Sequence, residues 1–165
     1  MRTPPGVFLV KSGEQHRCPC CGGVLKVIGS RRRGCIKDTG ERVVLMIRRL
    51  KCGCCNRVHH ELPDILVPYK RHCSRSIEAV IGGEDALIVA ADESTINRWK
   101  QWFKALANHF LGVLISIKIR LGKGAAEAGS GLPGSPLQRI RQHVGDAPGW
   151  LARVVRPVVN ANCWG

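Results

Sequence analysis

"KCGCCNRVHHELP", residues Lys51–Pro63, sets three cysteines within four positions and follows them with His59 and His60. An earlier stretch, "RCPCCGG", residues Arg17–Gly23, has the same rhythm. Cys18-x-x-Cys21 and Cys52-x-x-Cys55 each make a turn that aims two thiolates at one point. Two such turns brought together by a hairpin form the tetrahedral four-sulfur site of structural zinc. Thirty residues separate Cys21 from Cys52, more than a compact finger uses and suited to the strands of a zinc ribbon. Gly22 supplies the permissive backbone that the end of such a turn needs. The pattern predicts one structural Zn2+ held by Cys18, Cys21, Cys52 and Cys55.

Cys20 and Cys54 stand at the third position of each turn. Adjacent residues do not easily both point inward, so these two are expected outside the ligand set, although spacing leaves open a register in which Cys20 replaces Cys21. His59 and His60 read as packing and phosphate-contacting side chains, with metal ligation as the alternative. Cys35, Cys73 and Cys163 read as small buried or half-buried residues. Iron is the rival metal, since four-thiolate sites in small electron carriers have a similar layout. The stretch from Arg17 to Val58 has no Phe, Tyr or Trp to shield a redox centre and is strongly basic, which favours zinc.

Between the turns the pattern is strand-like. "VLKVI" is followed by a Gly29-Ser30 break and "RRRGCIK"; "DTGE" then reads as a hairpin turn before "RVVLMIRRLK". This predicts a two- or three-stranded antiparallel sheet. Along the last strand Val44, Met46, Arg48 and Leu50 share one face, and Val43, Leu45, Ile47, Arg49 and Lys51 the other. The end of that strand is expected to be basic on both faces. Residues 1–17 form a lead-in without a period, and "ELPDILVPYKR" closes the 18–73 unit as a proline-containing connector.

Residues 74–121 carry helical signals. "SRSIEAVI" and "EDALIVAA" are short candidate helices divided by Gly82-Gly83. "DESTINRWKQWF" starts a third, with Asp92 as N-cap and Glu93 in the first turn. Three short helices with tight joints suggest a helix-turn-helix-like region. Apolar residues at Ile96, Trp99, Phe103, Leu106, Phe110, Val113 and Ile117 step by three and four, so the third helix is expected to continue to about Leu121. The favoured reading of this seam is a core stripe; a homodimer through the 96–117 helix is the alternative. Residues 122–136 are a Gly- and Pro-rich linker, and 137–165 a tail with two short amphipathic helices. The fold class is thus small α+β, a four-cysteine zinc ribbon followed by helices.

Charge bounds the partner. The chain has 165 residues and a formal net charge of +14, and residues 1–75 carry 16 basic and 5 acidic side chains against 10 and 7 over the remainder. A basic half of this kind favours a polyanion, because neutralising phosphates releases counterions. Arg31, Arg32, Arg33, Arg48, Arg49, Lys51, Lys70 and Arg71 flank the metal turns and suit phosphate oxygens and guanine edges. Thr95, Asn97, Arg98, Lys100, Gln101 and Lys104 lie off the apolar seam, where a recognition helix presents base-reading residues. DNA is the expected partner.

No export signal is read at the N-terminus, and "HFLGVLISIKI" falls short of the ~18 apolar residues that span a bilayer. The expectation is a cytoplasmic protein with metal-bound or free thiols, no membrane association and no small-molecule substrate.

"CPCCGGVLKVIGSRRRGC", "IRRLKCGCCNRVHHELPDILVPYKR" and "DESTINRWKQWF" together resemble a bacterial zinc-ribbon family of unknown function often met in mobile-element contexts. They are similar, less closely, to the zinc-ribbon and helix-turn-helix front ends of insertion-sequence transposases. The resemblance covers roughly Cys18–Phe103, with "WLARVVRPVVNAN" in keeping. It implies a DNA-associated module, transposase-associated or regulatory, with the four named cysteines as zinc ligands; Cys20 and Cys54 are departures from the pattern.

Catalysis is not expected. Asp38, Asp64, Asp92 and Glu127 each have a simpler place in a turn, connector, cap or linker, and Cys73 beside His72 lacks an orienting third group. A protein-interaction adaptor and an iron-bearing electron carrier are the alternatives to DNA binding.

Overall fold

A computed structural model of the chain describes residues 6–13, 17–83, 89–122 and 134–164. The strands are β1 (Val7–Leu9), β2 (Leu25–Ile36), β3 (Arg42–Cys52) and β4 (Val58–His60). The helices are α1 (Ser74–Gly82), α2 (Glu93–Arg120), α3 (Pro136–Val144) and α4 (Trp150–Asn160). The α+β class is as read from the sequence, but the sheet has four strands.

β3 is the centre of the sheet. β2 runs antiparallel along its whole length, from Ile36↔Arg42 to Leu25↔Cys52. The opposite edge is shared: β1 pairs parallel with Val44–Met46, and β4 pairs antiparallel with Arg49–Lys51. The two extra strands come from the lead-in and from the residues just past the second cysteine turn. Each is three residues long, too short for alternation to show in a sequence. The expected break at Gly29 is a β-bulge within one strand, since the register shifts between Val27 and Gly29, and Gly29 takes a φ of 145° open to glycine alone. "DTGE" makes the hairpin: Lys37 and Glu41 bond across it, and Gly40 turns back to the Lys37 carbonyl.

The two ends of β3 are covered on opposite faces. Val43, Leu45 and Ile47 are buried with Cys35, Leu66 and Cys73 in a small core. Nearer the cysteine turns, Leu50 and Cys52 are buried on the other face, while Arg49 and Lys51 emerge to solvent. The strand end is therefore basic on one face, not both: beside buried Leu50, Arg48 is half-buried and committed to Glu61.

The helices have their own core. The Asp92 side chain accepts from the Thr95 N–H at 2.7 Å and starts α2, satisfying one of the orphan donors of the first turn. Trp99, Phe103 and Phe110 from the apolar seam are buried and joined by Ala107, Leu111 and Leu114. Ile96, Leu106 and Val113 pack at the margin of that core, and Ile117 is half-buried. α1, α3 and α4 all pack on α2. From α4 come Trp150, Leu151, Val154, Val155 and Val158, all buried. Buried Glu78 of α1 accepts from the N–H groups of Gly149 at 2.6 Å and Leu151 at 2.8 Å, capping α4 with a carboxylate at its positive end.

Among the described residues no strand lies directly against a helix. The connector 61–73 joins the two parts: Leu66 enters the sheet core, its neighbour Val67 enters the helical core, and Leu62 packs against both. Asp64 and Arg156 add an ion pair of 2.6 Å from connector to α4.

The candidate helix over "EDALIVAA" falls mostly on residues 84–88, outside the described residues, and Val89–Ala91 are not helical. What is described is α1 and α2 rather than three tightly jointed helices. The expected linker over 122–136 also falls largely outside the described residues. α2 is 28 residues long and meets the length and hydropathy that a bilayer span needs, which the shorter run in the sequence did not. Core helices pass the same test, and α2 turns Trp99, Phe103, Ala107, Phe110, Leu111 and Leu114 into the helical core.

Candidate metal centre

The register Leu25↔Cys52 sets the start of β2 against the end of β3, and so sets the two cysteine turns side by side. Each turn is closed the same way: the Cys18 N–H donates to the Gly23 carbonyl at 2.9 Å, and the Cys52 N–H to the Arg57 carbonyl at 2.9 Å. The Cys54 N–H also points at the Cys52 sulfur at 3.4 Å. The residue after each second cysteine is left-handed, Gly22 at φ 72° and Asn56 at φ 58°, a conformation that suits Gly and Asn. Gly23 is required for another reason: a Cβ there would lie 2.8 Å from the Cys54 sulfur and 3.0 Å from that of Cys52.

The result is a cluster. The Sγ atoms of Cys18, Cys21, Cys52 and Cys55 all lie within 4.8 Å of one another. Across the turns Cys18 and Cys55 are 3.6 Å apart, and Cys21 and Cys52 are 3.5 Å apart. A tetrahedral ion with metal–sulfur bonds of about 2.3 Å needs sulfurs about 3.8 Å apart, so these four can hold a metal ion, and their arrangement is compatible with a zinc ribbon.

Proton sharing within the cluster fits the same purpose. The N–H of Cys55 aims at Cys52 and outweighs burial, bringing that thiol down to about 6. Burial opposes ionisation at Cys18, but the N–H groups of Cys20 and Cys21 prevail and lower it. Cys21 receives the Gly23 N–H, yet its bonds to the Cys52 and Cys55 sulfurs push it up to about 12. Cys55 receives the Arg57 N–H but is raised by burial and by Cys18. The backbone N–H groups of the turns thus favour the thiolate at Cys18 and Cys52, the ionised form that a divalent cation binds.

His59 comes closer than its position below the turn indicated. Its Nε2 is 3.3 Å from the Cys18 sulfur, and Cys18, Cys20 and His59 form a second group with ligand atoms within 4.8 Å. Arg57 donates to the Cys20 sulfur at 3.4 Å. Cys54 is exposed and belongs to neither group. Cys35 and Cys73 are buried and Cys163 half-buried.

The basic residues divide. Arg31 pairs in register with Ile47, and Arg49 with His60, so all lie on the face that carries Val43–Ile47. Burial first, then the charges of Arg31 and Arg49, hold His60 below the ordinary histidine range. Arg31, Arg49 and Lys51 are exposed there, and Arg32 is exposed on the other face. Arg33 is half-buried and donates to the Lys70 carbonyl at 2.9 Å. Arg48 is taken out of the set: its guanidinium makes bonds of 2.6 and 2.5 Å to Glu61, which is only 6% exposed. The Lys70 ammonium sits 4.5 Å over the Trp102 ring; burial lowers its pKa. Arg71 is exposed. On α2, Thr95 serves the Asp92 cap and Arg98 bonds to Ser94. Asn97, Lys100, Gln101 and Lys104 are exposed on its polar side.

The carboxylates considered for catalysis have structural partners: Asp38 with Arg75, Asp64 with Arg156, and Asp92 at its cap. Glu127 lies outside the described residues. His72 packs edge-on against Trp99, and the Cys73 sulfur is 3.1 Å from the Ser76 hydroxyl.

The fold and site thus define a class, a sheet with a four-cysteine cluster able to hold a metal ion, followed by a helical unit. A DUF6431 domain, a domain of unknown function, is found at residues 18–99, from the first metal-site cysteine to Trp99 of α2. That match includes both cysteine turns, the connector and α1, and carries no link to transposase modules. No curated protein and no solved structure matches the chain.

Proposed function

We propose that the protein is a zinc-dependent DNA-binding module without catalytic activity of its own, acting in a regulatory or transposase-associated setting. The observation that carries this reading is the placement of Arg31, Arg49, Lys51 and His60 on one face of β2, β3 and β4, with Lys51 adjoining Cys52 of the metal cluster. A metal ion that clasps the strand ends holds these cations as a fixed array. Fixed guanidiniums bind phosphates at a smaller entropic cost than trailing ones. The polar side of α2, with Asn97, Lys100, Gln101 and Lys104, supplies residue types that contact base edges or phosphates, in the manner of a helix-turn-helix.

The test is fluorescence anisotropy with metal-loaded protein and random-sequence duplex across a salt series. Arg31→Ala with Arg49→Ala is expected to weaken binding for every sequence and to reduce the salt slope by about 2, one per phosphate contact. Arg48 is unsuitable for this test because its loss also removes the cation that balances buried Glu61. Absence of salt-dependent retention sinks the reading. An adaptor function is the second reading, favoured by one observation: Val24, Val27, Ile28 and Val58 are 61%, 54%, 46% and 42% exposed close to the cysteine turns, an apolar surface of the kind protein partners cover.

A further inference from the structure

Tyr69, the chain's single tyrosine, stands where its own backbone resists it. Residues Val67–Lys70 form a turn closed by the Lys70 N–H on the Val67 carbonyl at 3.1 Å. Pro68 takes the second position and Tyr69 the third, with φ 61°. A proline-started turn with positive φ at its third position is the place for Gly or Asn, because a Cβ crowds the following carbonyl. A bulky residue there is expected to be offset by packing, yet Tyr69 is 86% exposed. Its neighbours are all engaged: Val67 is in the helical core, Lys70 lies over Trp102, and Arg33 bonds to the Lys70 carbonyl. The turn is held firmly and presents a ring to solvent.

That ring borders a cleft of about 720 Å³. Arg31, Arg33 and His60 line its sheet side; Asn160 and Asn162, at the end of α4, line the far side. Its two carboxylates are engaged, Glu61 with Arg48 and Asp64 with Arg156, so the wall is net cationic. A cationic groove with an exposed aromatic ring at its rim is the arrangement that holds unpaired nucleotides: guanidiniums follow the backbone and a base stacks on the ring.

We propose that this cleft binds a single nucleic-acid strand, with Tyr69 as the stacking platform for one unpaired base and Arg31 on its phosphates. The proposal rests on the nucleic-acid reading above and narrows it. A base inside a duplex has both faces covered by its neighbours, so the ring can stack only on a base already free.

The experiment compares short mixed-sequence single strands, as DNA and as RNA, with the matching DNA duplex, all titrated with the full metal-loaded chain. The original protein is expected to prefer a single strand, and whichever sugar is favoured identifies the source. Tyr69→Ala is expected to weaken single-strand binding about ten-fold or more while leaving duplex binding unchanged, and Tyr69→Phe to retain it. Tyr69→Gly gives the sharpest outcome, with the same loss of affinity alongside a raised melting temperature, because glycine relieves the turn. The proposal falls if Tyr69→Gly binds single strands as the original does, or if Tyr69→Ala weakens duplex and single strand equally. Binding to neither at low salt refutes the nucleic-acid reading itself. Salt-dependent duplex binding without single-strand preference refutes the cleft alone.

Discussion

The sheet and the helices face the same problem, closing an apolar layer around a short chain, and they meet it differently. Among the described residues the helical cluster buries fourteen, Trp99, Phe103, Phe110 and Trp150 among them, with Val67 lent by the connector. The sheet buries six in its own, two of them cysteines and two, Leu66 and Cys73, lent by the connector. A layer that thin falls short of the entropy of ordering four strands, and small scaffolds of this kind need a staple. The four sulfurs at the far end of β3 are in place to supply it. The exposed cations at issue for function, Arg31, Arg49 and Lys51, all lie on the part with the thin core. Metal dependence and the sheet's phosphate-binding cations are therefore expected to coincide, while Lys100 and Lys104 of α2 stand on the part that holds without the metal.

The largest expected effect breaks the two regions apart. Stripping the metal with a chelator, or substituting Cys52→Ser, removes a contribution on the order of 10 kcal/mol by the standard of small zinc domains. Hydrogen exchange should then show β2, β3 and β4 losing protection together while α2 and α4 keep theirs. Loss of protection throughout the chain would mean that the helices lean on the metal too, and the contrast would be lost. The converse substitution is smaller. Trp150→Ala empties a fully buried site between α2 and α4 and is expected to cost about 3–5 kcal/mol. It should lower the thermal transition of the helices and leave metal stoichiometry and thiol protection as they were. A matching fall in metal affinity would show that Leu66 and Val67 couple the cores into one cooperative unit.

The contrast also explains what could be read from the sequence. The cysteine turns, the Asp92 cap and the seam of α2 are local patterns, each spelled by residues within a few positions of one another, and all three stand where spacing put them. Alternation along β3 assigned faces correctly, but it could not tell which half of each face would be covered. That depends on Leu66 from the connector and on Glu61, thirteen positions beyond Arg48. Arg48 and Arg49 thus looked equivalent in sequence and are opposite in structure, one clamped to a carboxylate and one free of the sheet's core. β1 and β4 exist only because β3 offers an edge, so nothing in their own three residues announces them. Tyr69 is hidden in the sequence for the same kind of reason: "VPYKR" contains no Gly to mark a turn with positive φ.

The smallest expected effect sharpens the contrast by testing the helices where the metal is already gone. The Asp92 carboxylate accepts from the Ser94 hydroxyl at 2.6 Å and from the Thr95 N–H at 2.7 Å and hydroxyl at 3.1 Å. These bonds, Ser94 first, bring its pKa from 3.8 down to about 2. A depressed carboxylate stabilises the folded state fully above its unfolded pKa. That contribution is lost as pH falls through the interval from 3.8 to about 2. Asp92→Asn keeps an oxygen to cap the helix but not the charge. Its melting temperature should sit slightly below that of the original at neutral pH, and the gap should close across the same interval, as followed by far-UV circular dichroism. Cysteine thiolates protonate well above that range and release a bound ion, so the sheet is expected to be open throughout the titration. A cooperative helical transition in acid whose midpoint still depends on Asp92 would show α2 and its partners folding without the sheet. A gap that stays constant with pH would mean that the charge of Asp92 does not cap α2, and absence of any transition would mean that the helices do not fold without the clasped strands.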